Sequence, residues 1–346
     1  MNKVLSLFSN VGIGELLLPK QFEVVLANEL EAKRCEVYRK LHPGHEILQG
    51  DIKELSDIII KKSNNLGVNI VLATPPCQPF SIVNNKKRKN DARNFLVVQA
   101  VNIAKKIGPQ MVVMENVTKQ GSLIIDQLSY IDWIAKQFPR HYVWEEILDT
   151  ADFGVPQRRK RLFTFISKKR FVVPHVKKHV MLSEAIGHLP SIEANEPCDD
   201  DPMHYGPPNS PHHVEWARHT PTGQSAFSNE GKNSFFPKTI GCDGKMRTIR
   251  GYDTTYRRMY WDRVSYTITM NHAGPNGSNT LHPGRKLQDG TYSDARTLTL
   301  REISIIMGLP HSFCFPKSVS YRDGVRFLGE GLSPVVVREI FKSWVK

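Results

Sequence analysis

The chain reads ATPPCQPFS over residues 73–81, at the end of an apolar run that begins at residue 69. An apolar run of this length that ends in prolines is typical of a buried strand followed by a loop. Prolines on both sides of Cys77 stiffen this loop and remove backbone donors. A buried structural cysteine normally lies inside an apolar periodic segment, whereas Cys77 follows one. We therefore interpret Cys77 as a nucleophile at the end of a strand in an α/β fold.

Alternating strand and helix patterns occupy the first half of the chain. Apolar runs predict strands at residues 4–8, 23–28, 69–73, 111–115 and 142–148. Helical periodicity separates these runs at residues 31–41, 95–107 and 123–137. This alternation predicts a doubly wound, mostly parallel sheet of the Rossmann-like kind, with ligands at the carboxyl ends of the strands.

The middle of the chain has a different composition. From about residue 171 to residue 263 the periodicity fades into loops rich in Pro, Gly, Asn, Ser and His. Regular patterning returns at Thr299, where a glutamate three residues later gives the spacing of a capping box, and again at residues 334–344. We predict a first domain at residues 1–175, a smaller irregular domain at 176–290, and a return to the first domain at 291–346.

The charge balance indicates the class of partner. Lys and Arg number 47 against 34 Asp and Glu, which gives a formal net charge of +13. Such an excess favours a polyanionic partner, of which nucleic acid is the simplest, and no apolar run approaches the roughly 20 residues of a membrane span. The first residues run into a strand pattern without a signal or transit peptide. We expect a cytoplasmic, nucleoid-associated monomer that does not bind membranes.

The cysteines do not indicate a disulfide framework or a zinc site. They are odd in number, widely spaced and without a CxxC pair, at Cys35, Cys77, Cys198, Cys242 and Cys314. We therefore expect reduced thiols and no metal site.

Three further strand ends carry groups that suit a nucleoside ligand. Residues 8–14 read FSNVGIG, a turn of small residues where a ligand can approach the backbone closely. Glu29 ends the second strand, where a carboxylate can accept both ribose hydroxyls, and Asp51 could accept from an adenine amino group. Each acid taken alone is better explained as a helix cap or a solvated charge. The three positions in order favour a cofactor site.

A carboxyl group and a basic run complete the set of candidate residues. Glu115 closes the strand at residues 111–115, at the same sheet edge as Cys77, which favours a raised pKa and a role in proton transfer. Residues 154–161 read GVPQRRKR, and residues 158–178 hold nine Lys or Arg and no Asp or Glu. This bias favours contacts with backbone phosphates.

Together these motifs resemble the cytosine-5 DNA methyltransferases of bacterial restriction-modification systems. Residues 8–12 are similar to the family's cofactor loop, residues 75–81 to its nucleophile loop, 115–117 to its Glu-Asn-Val, and 157–161 to its Gln-x-Arg-x-Arg. Residues 296–302 match the helix that organises the family's recognition region. Two positions depart from the pattern. Asn10 stands where the family usually has glycine, which a positive φ would permit, and Glu330 stands where it usually has asparagine.

The resemblance implies transfer of a methyl group from S-adenosylmethionine to C5 of a cytosine that is flipped out of duplex DNA. It assigns catalysis to Cys77, Glu115, Arg159 and Arg161. It assigns cofactor contacts to Phe8, Asn10, Gly12, Glu29, Leu30, Asp51, Ile52, Pro75, Leu96, Glu330 and Leu332. It assigns DNA contacts to Ser81, Arg93 and Gln157, and the basic residues of the irregular domain add Arg247, Arg250, Arg257 and Arg258 as phosphate or guanine contacts.

The resemblance also makes the domain at 1–175 catalytic and cofactor-binding, and the domain at 176–290 the one that recognises the target. A restriction endonuclease is a candidate functional partner. Two alternatives remain at this stage, namely a methyltransferase that acts on a transfer RNA cytosine and a DNA-binding protein without catalytic activity. The length of the middle region favours a domain that reads DNA sequence, and the presence of Cys77, Glu115 and Arg159 favours an enzyme.

Overall fold

The structure is a computed structural model that describes residues 1–76, 94–175, 178–198, 200–229, 235–240, 242–249 and 251–345. The chain forms two compact units. The first unit comprises Met1–Phe153, Arg159–Val176 and Gly331–Lys346, and the second comprises Gly154–Arg158 and Lys177–Glu330. The chain therefore rejoins the first unit at Gly331, whereas the sequence predicted a return at residue 291.

The first unit is built on a seven-stranded sheet with the strand order β3-β2-β1-β4-β5-β9-β8. Neighbours from β3 to β5 run parallel, and β9 is antiparallel to both β5 and β8. Two antiparallel hairpins, β6–β7 and β10–β11, lie outside this sheet. The strands are β1 (Asn2–Leu7), β2 (Phe22–Glu29), β3 (Glu46–Gln49), β4 (Ile70–Ala73), β5 (Met111–Asn116), β6 (Ile124–Ile125), β7 (Leu128–Ser129), β8 (Tyr142–Asp149), β9 (Lys160–Ser167), β10 (Lys238–Ile240) and β11 (Met246–Thr248).

Helices connect the strands in the order expected of a doubly wound fold. The α-helices are α1 (Ala32–Leu41), α2 (Ile52–Leu66), α3 (Asn94–Ile107), α4 (Tyr130–Gln137), α5 (Leu182–Ile186), α6 (Pro211–Arg218), α7 (Leu300–Ile306), α8 (Tyr321–Glu330) and α9 (Pro334–Val345). Short 3₁₀ helices occur at Ile13–Glu15, Thr118–Ser122, Thr150–Phe153, Ala226–Asn229 and Met270–Ala273. Within the described ranges, none of the helices combines the length and apolar character needed to cross a bilayer.

Successive strand residues bury opposite faces of the sheet. Leu5 and Val71 belong to a core shared with α2, α3 and α4, whereas their neighbours Val4 and Ile70 belong to a core shared with α9. This alternation follows from the two-residue period of a strand, and helices on both faces keep the strands apolar throughout. The fold class predicted from the sequence, a doubly wound and mostly parallel sheet, is confirmed.

The predicted helix at residues 123–137 is wrong in its first half. Residues 124–129 form the β6–β7 hairpin, in which Asp126 and Gln127 both have positive φ, as a tight two-residue turn requires. The helix begins only at Tyr130, after Ser129 accepts a capping hydrogen bond from the Asp132 amide. The sequence reading also omitted β3 and α2, because β3 has only four residues and α2 follows it after a short connection.

The second unit contains a buried ionic cluster that explains the later domain boundary. Arg296 donates to both carboxylate oxygens of Glu302 at 2.9 Å and to Asp294 at 2.9 Å. Thr299 and Glu302 form the predicted capping box at the start of α7. The cluster is bonded to the rest of the second unit at Ile192, whose amide donates to Asp294 at 3.1 Å and whose carbonyl oxygen accepts from Arg296 Nε at 2.6 Å. Residues 294–302 therefore belong with the second unit, since buried charges need such partners.

Candidate active site

The loop after β1 (residues 8–14, the β1 loop) has an unusual backbone. Phe8, Asn10 and Gly12 all have positive φ, at 57°, 52° and 77°. Asn10 therefore has the positive φ that permits an asparagine at a position where glycine is usual. The Ser9 amide donates to the Asn28 carbonyl oxygen at 3.0 Å, which ties the loop to β2.

Glu29 holds the β1 loop from the end of β2. It is 5% exposed, and its carboxylate accepts hydrogen bonds from the amides of Asn10 and Leu30 at 2.9 Å and of Glu31 at 3.0 Å. Arg34 Nη1 lies 3.9 Å from the same carboxylate. A carboxylate offers about four acceptor sites, so these bonds leave capacity for a ligand hydroxyl.

A buried polar cluster lies beneath the β1 loop. Ser6 donates to Glu15, and His42 Nε2 donates to the carbonyl oxygen of Gly12 at 3.0 Å. Burial raises the pKa of the Glu15 carboxyl to about 7 and lowers the pKa of His42 to about 4. A Cβ atom at position 12 would lie 2.2 Å from His42 Nε2 and 2.7 Å from Glu15 Oε2, so this position requires glycine.

The next two strand ends carry further assigned residues. Leu30, directly after Glu29, is 62% exposed. Asp51 is the N-cap of α2 and accepts from the Lys53 amide at 2.8 Å, so the structural role of a helix cap is realised. The Ile52 side chain is buried in the core of the first unit.

Three more assigned residues lie in the first unit, and one lies in the second. Pro75 is buried and Leu96 partly buried, while Leu332 packs so closely on Gly14 that a Cβ atom there would lie 3.2 Å from Leu332 Cβ. Glu330 ends α8 in the second unit and accepts from Arg326 Nε at 3.3 Å.

The segment that follows β4 (residues 74–81, the cysteine loop) begins at Thr74 with well-defined contacts. Cys77, Ser81 and Arg93 lie outside the described residues. Thr74 Oγ1 donates to the Phe8 carbonyl oxygen at 2.9 Å. On the other side, Asn116 Nδ2 donates to the Pro75 carbonyl oxygen at 3.0 Å. The start of the cysteine loop is thus bonded both to the β1 loop and to the end of β5.

Glu115, one residue before Asn116, forms an ion pair. Its Oε1 lies 3.1 Å from Arg161 Nε, and the two side chains are 12% and 19% exposed. The antiparallel register pairs Glu115 with Phe163 on β9, which brings Arg161 to the same end of the sheet. Arg159 is buried, and its Nη2 donates to the Gly331 carbonyl oxygen at 3.3 Å. The arginine that contacts Glu115 is therefore Arg161.

Two residues assigned to DNA contacts are buried instead. Arg258 is 0% exposed, and its guanidinium donates to the carbonyl oxygens of Ala217 at 2.9 Å and His282 at 2.8 Å. Gln157 is also 0% exposed, and its Oε1 accepts from the Ile268 amide at 2.8 Å. In the structure described, these polar groups bond to backbone groups inside the second unit, and the DNA contacts assigned to them stay predictions.

The exposure of the other two described arginines differs. Arg257 forms an ion pair with Asp253 and donates to the Gly223 carbonyl oxygen at 2.9 Å, with its side chain 15% exposed. These two bonds hold the Arg257 guanidinium against the protein, and its proposed contact with phosphate or guanine stays a prediction. The Arg247 side chain is 65% exposed and lies 2.7 Å from Asp243. Arg250 lies outside the described residues.

The sequence reading assigned no role to Thr74, Asn116 or Glu15. Thr74 is a polar residue at the end of an apolar strand. This pattern indicates a side chain turned toward the loops, so the sequence alone could have identified Thr74. Asn116 lies inside the Glu-Asn-Val motif, in which the sequence pattern gives it no role of its own. Glu15 gave no signal, because only the fold shows that it is buried.

The sequence of the chain matches a known protein family. The sequence profile described as C-5 cytosine-specific DNA methylase matches residues 2–346. The chain belongs to this family. It is accordingly an enzyme, a DNA cytosine-5 methyltransferase, and the family predicted from the sequence motifs is confirmed. The match supports action on DNA rather than the RNA-modifying or non-catalytic alternatives.

Relatives of this C-5 cytosine-specific DNA methylase include two restriction-modification enzymes. The type II methyltransferase M1.HgaI of Avibacterium volantium is 35% identical, with 98% of each chain covered. The type II methyltransferase M1.HphI of Haemophilus parahaemolyticus is 28% identical, with 99% of this chain and 86% of the relative covered. A mutant of Spodoptera frugiperda DNMT2 shares the fold, with a TM-score of 0.64, 17% identity and 100% of both chains covered.

Proposed function

We propose that this enzyme methylates C5 of one cytosine within a specific duplex DNA sequence through a covalent bond between Cys77 and C6. One observation carries the proposal. Asn116 Nδ2 bonds to the Pro75 carbonyl oxygen at 3.0 Å, so the loop that bears Cys77 begins beside the Glu115–Arg161 ion pair. Thiol, carboxyl and guanidinium groups are the set that this reaction needs.

The cofactor we assign is S-adenosylmethionine. The residues fit its nucleoside, since the Glu29 carboxylate has spare acceptor capacity beside the exposed Leu30, and Asp51 lies at the end of the neighbouring segment. Phe8 and Gly12 would lie against it from the β1 loop. When bound, it supplies an electrophilic methyl group on a sulfonium sulfur.

C5 of cytosine is a poor nucleophile, and Cys77 activates it. Its thiolate adds to C6, which forms the S–C6 bond and moves an electron pair toward C5. Glu115 donates a proton to N3, and Arg161 or Arg159 holds the carbonyl oxygen of the base as negative charge develops. Once C5 has used this electron pair to take the methyl group, loss of the C5 proton to a base lets the S–C6 bond break, which restores the thiolate and the C5–C6 double bond. The proton on N3 returns to Glu115.

The Glu115–Arg161 pair has a consequence for this proton transfer. The Arg161 guanidinium lies 3.1 Å from the Glu115 carboxylate, so the two groups occupy each other before a substrate binds. Both can act on the base only when Arg161 turns from Glu115 to the substrate carbonyl oxygen. We propose that entry of the flipped cytosine triggers this exchange of partners, at a cost of roughly a few kcal/mol for unstacking the base.

The second unit supplies the proposed recognition surface. Arg247 is an exposed candidate in this unit for a phosphate or guanine contact, and Arg250 is a further candidate from the sequence. Ser81 and Arg93, which belong to the first unit, are additional candidates from the sequence. The net charge of +13 supports backbone contacts in general. Because the relatives are named type II methyltransferases, we propose a paired restriction endonuclease. We also propose a nucleoid-associated location, since the substrate is DNA, and action as a monomer.

A duplex with 5-fluorocytosine at the target position tests the reaction. Fluorine cannot leave as a positive ion, so the enzyme should methylate once and remain bonded to the DNA through denaturation. Cys77→Ala should abolish both methylation and the bonded complex while duplex binding persists. Methyl transfer to C5 by the Cys77→Ala protein would refute the proposal.

A further inference from the structure

Phe8 is held in a conformation that its side chain disfavours. Its φ of 57° places an aromatic residue in the left-handed region, which only small or amide residues adopt readily. Such a backbone persists only when its surroundings hold it in place. The groups that hold Phe8 therefore determine the shape of the β1 loop.

Thr74 binds the peptide groups on both sides of Phe8. Its amide donates to the Leu7 carbonyl oxygen at 3.2 Å, and its Oγ1 donates to the Phe8 carbonyl oxygen at 2.9 Å. The first bond continues the β1–β4 ladder beyond the pair of Leu7 with Ala73, and any residue except proline could form it. The second bond needs a hydroxyl group. Serine could supply it, but valine, alanine and glycine could not.

Thr74 is also the first residue of the cysteine loop. Two prolines, Pro75 and Pro76, separate Thr74 from Cys77 in the sequence. Their rings fix φ, which limits how far the backbone can change direction after Thr74. Asn116 holds the following carbonyl group, that of Pro75, from the opposite side at 3.0 Å. A shift of Thr74 would therefore displace both the β1 loop and the start of the cysteine loop.

We infer that Thr74 is a positioning residue whose hydroxyl sets the β1 loop and the cysteine loop together, so that cofactor binding and alignment of Cys77 depend on one hydrogen bond. This inference rests on the proposed function, because that function gives the two loops their ligands. Thr74 itself is assigned no contact with substrate or cofactor.

Thr74→Val tests the inference, since it keeps the shape of the side chain and removes the donor. We expect about three- to tenfold weaker binding of S-adenosylhomocysteine by calorimetry. We also expect about three- to tenfold slower formation of the adduct with 5-fluorocytosine DNA at saturating S-adenosylmethionine. Thr74→Ala should show both losses, and Thr74→Ser should restore both.

Thr164→Val is the matched control. Thr164 is buried in the same unit, and its Oγ1 donates to the Tyr130 hydroxyl at 3.4 Å, away from both loops. It should lose stability without either functional defect. The inference is overturned if Thr74→Val behaves like Thr164→Val, or if only one of the two measurements changes.

A third measurement separates this inference from the proposed function. If the wild-type enzyme formed no adduct, the proposed function would fail, and alkylation of Cys77 by iodoacetamide would replace the adduct assay. Peptide mass spectrometry would follow Cys77, with the exposed Cys242 and Cys314 as internal references. Thr74→Val must then change both the alkylation rate and the cofactor affinity. Unchanged values for either would overturn the inference.

Discussion

Arg161 Nε lies 3.1 Å from Glu115 Oε1, at the point where β5 ends beside the start of the antiparallel strand β9. The pair joins a candidate proton donor to a candidate oxyanion-binding group before any substrate is present. It also distinguishes between the two arginines of the motif, because Arg159 instead donates to the backbone of Gly331 at 3.3 Å.

Arg161→Ala should lower the methylation rate by about a hundredfold or more, since the developing charge on the base loses its donor. Single-turnover assays on a duplex substrate measure this rate. Arg140→Ala is the matched control, because Arg140 is exposed in the turn before β8 of the first unit and lies outside the basic run at residues 158–178. Equal rates for the two variants would contradict the role of Arg161.

Arg258→Ala should destabilise the protein by at least about 3 kcal/mol, because it leaves buried carbonyl oxygens without their charged donor. Urea unfolding measures this loss. Arg247→Ala, at an exposed position, should change stability by less than about 0.5 kcal/mol. It should weaken DNA binding and reduce the salt slope by about 1 if Arg247 contacts a phosphate. A stable Arg258→Ala protein with altered DNA specificity would support the original DNA assignment.

Glu29→Gln should weaken binding of S-adenosylmethionine by about 1–3 kcal/mol, because the amide replaces an acceptor of three backbone amides and of the proposed ribose hydroxyl. Asp51→Ala should cost a similar amount of affinity. It should also destabilise α2 by about 1 kcal/mol, which Asp51→Asn should spare because asparagine still caps a helix. Calorimetry and thermal melts check both effects, and unchanged affinity in both acid variants would remove these residues from the cofactor site.

Glu15→Gln should stabilise the protein more at pH 8 than at pH 5. Burial raises the pKa of Glu15 to about 7 from 4.5, so the folded state binds more protons than the unfolded state between these values. Unfolding free energy then falls as pH rises through that window, by up to about 3 kcal/mol, and glutamine removes this dependence. Denaturant titrations of both proteins at the two pH values measure the difference. The lowered pKa of His42, about 4, makes the unfolding free energy depend on pH below pH 6.5. This dependence is the same in both proteins, so it cancels in their difference. A constant difference between wild type and variant would show that Glu15 stays ionised.

The alternation of apolar strands and periodic helices was sufficient to predict the sheet, because buried strands and amphipathic helices leave local signals in the sequence. The capping box at Thr299 was visible for the same reason. The hairpin at residues 124–129 was not, since an Asp-Gln turn with two positive φ angles runs against the usual preference for glycine.

For the candidate site, the sequence by itself determined the residue types and their order along the chain. It identified Glu29, Asp51, Cys77 and Glu115 as groups that follow strands, because parallel strands bring their carboxyl ends to one edge. Only the tertiary structure decided which basic residues are available to a ligand. Arg257 and Arg258 are adjacent in sequence, yet Arg258 is fully buried, whereas Arg257 is partly exposed and bonded to Asp253 and to the Gly223 carbonyl oxygen. Burial and hydrogen-bond partners come from residues distant along the chain, such as Ala217 and His282 for Arg258, and a local pattern cannot reveal them.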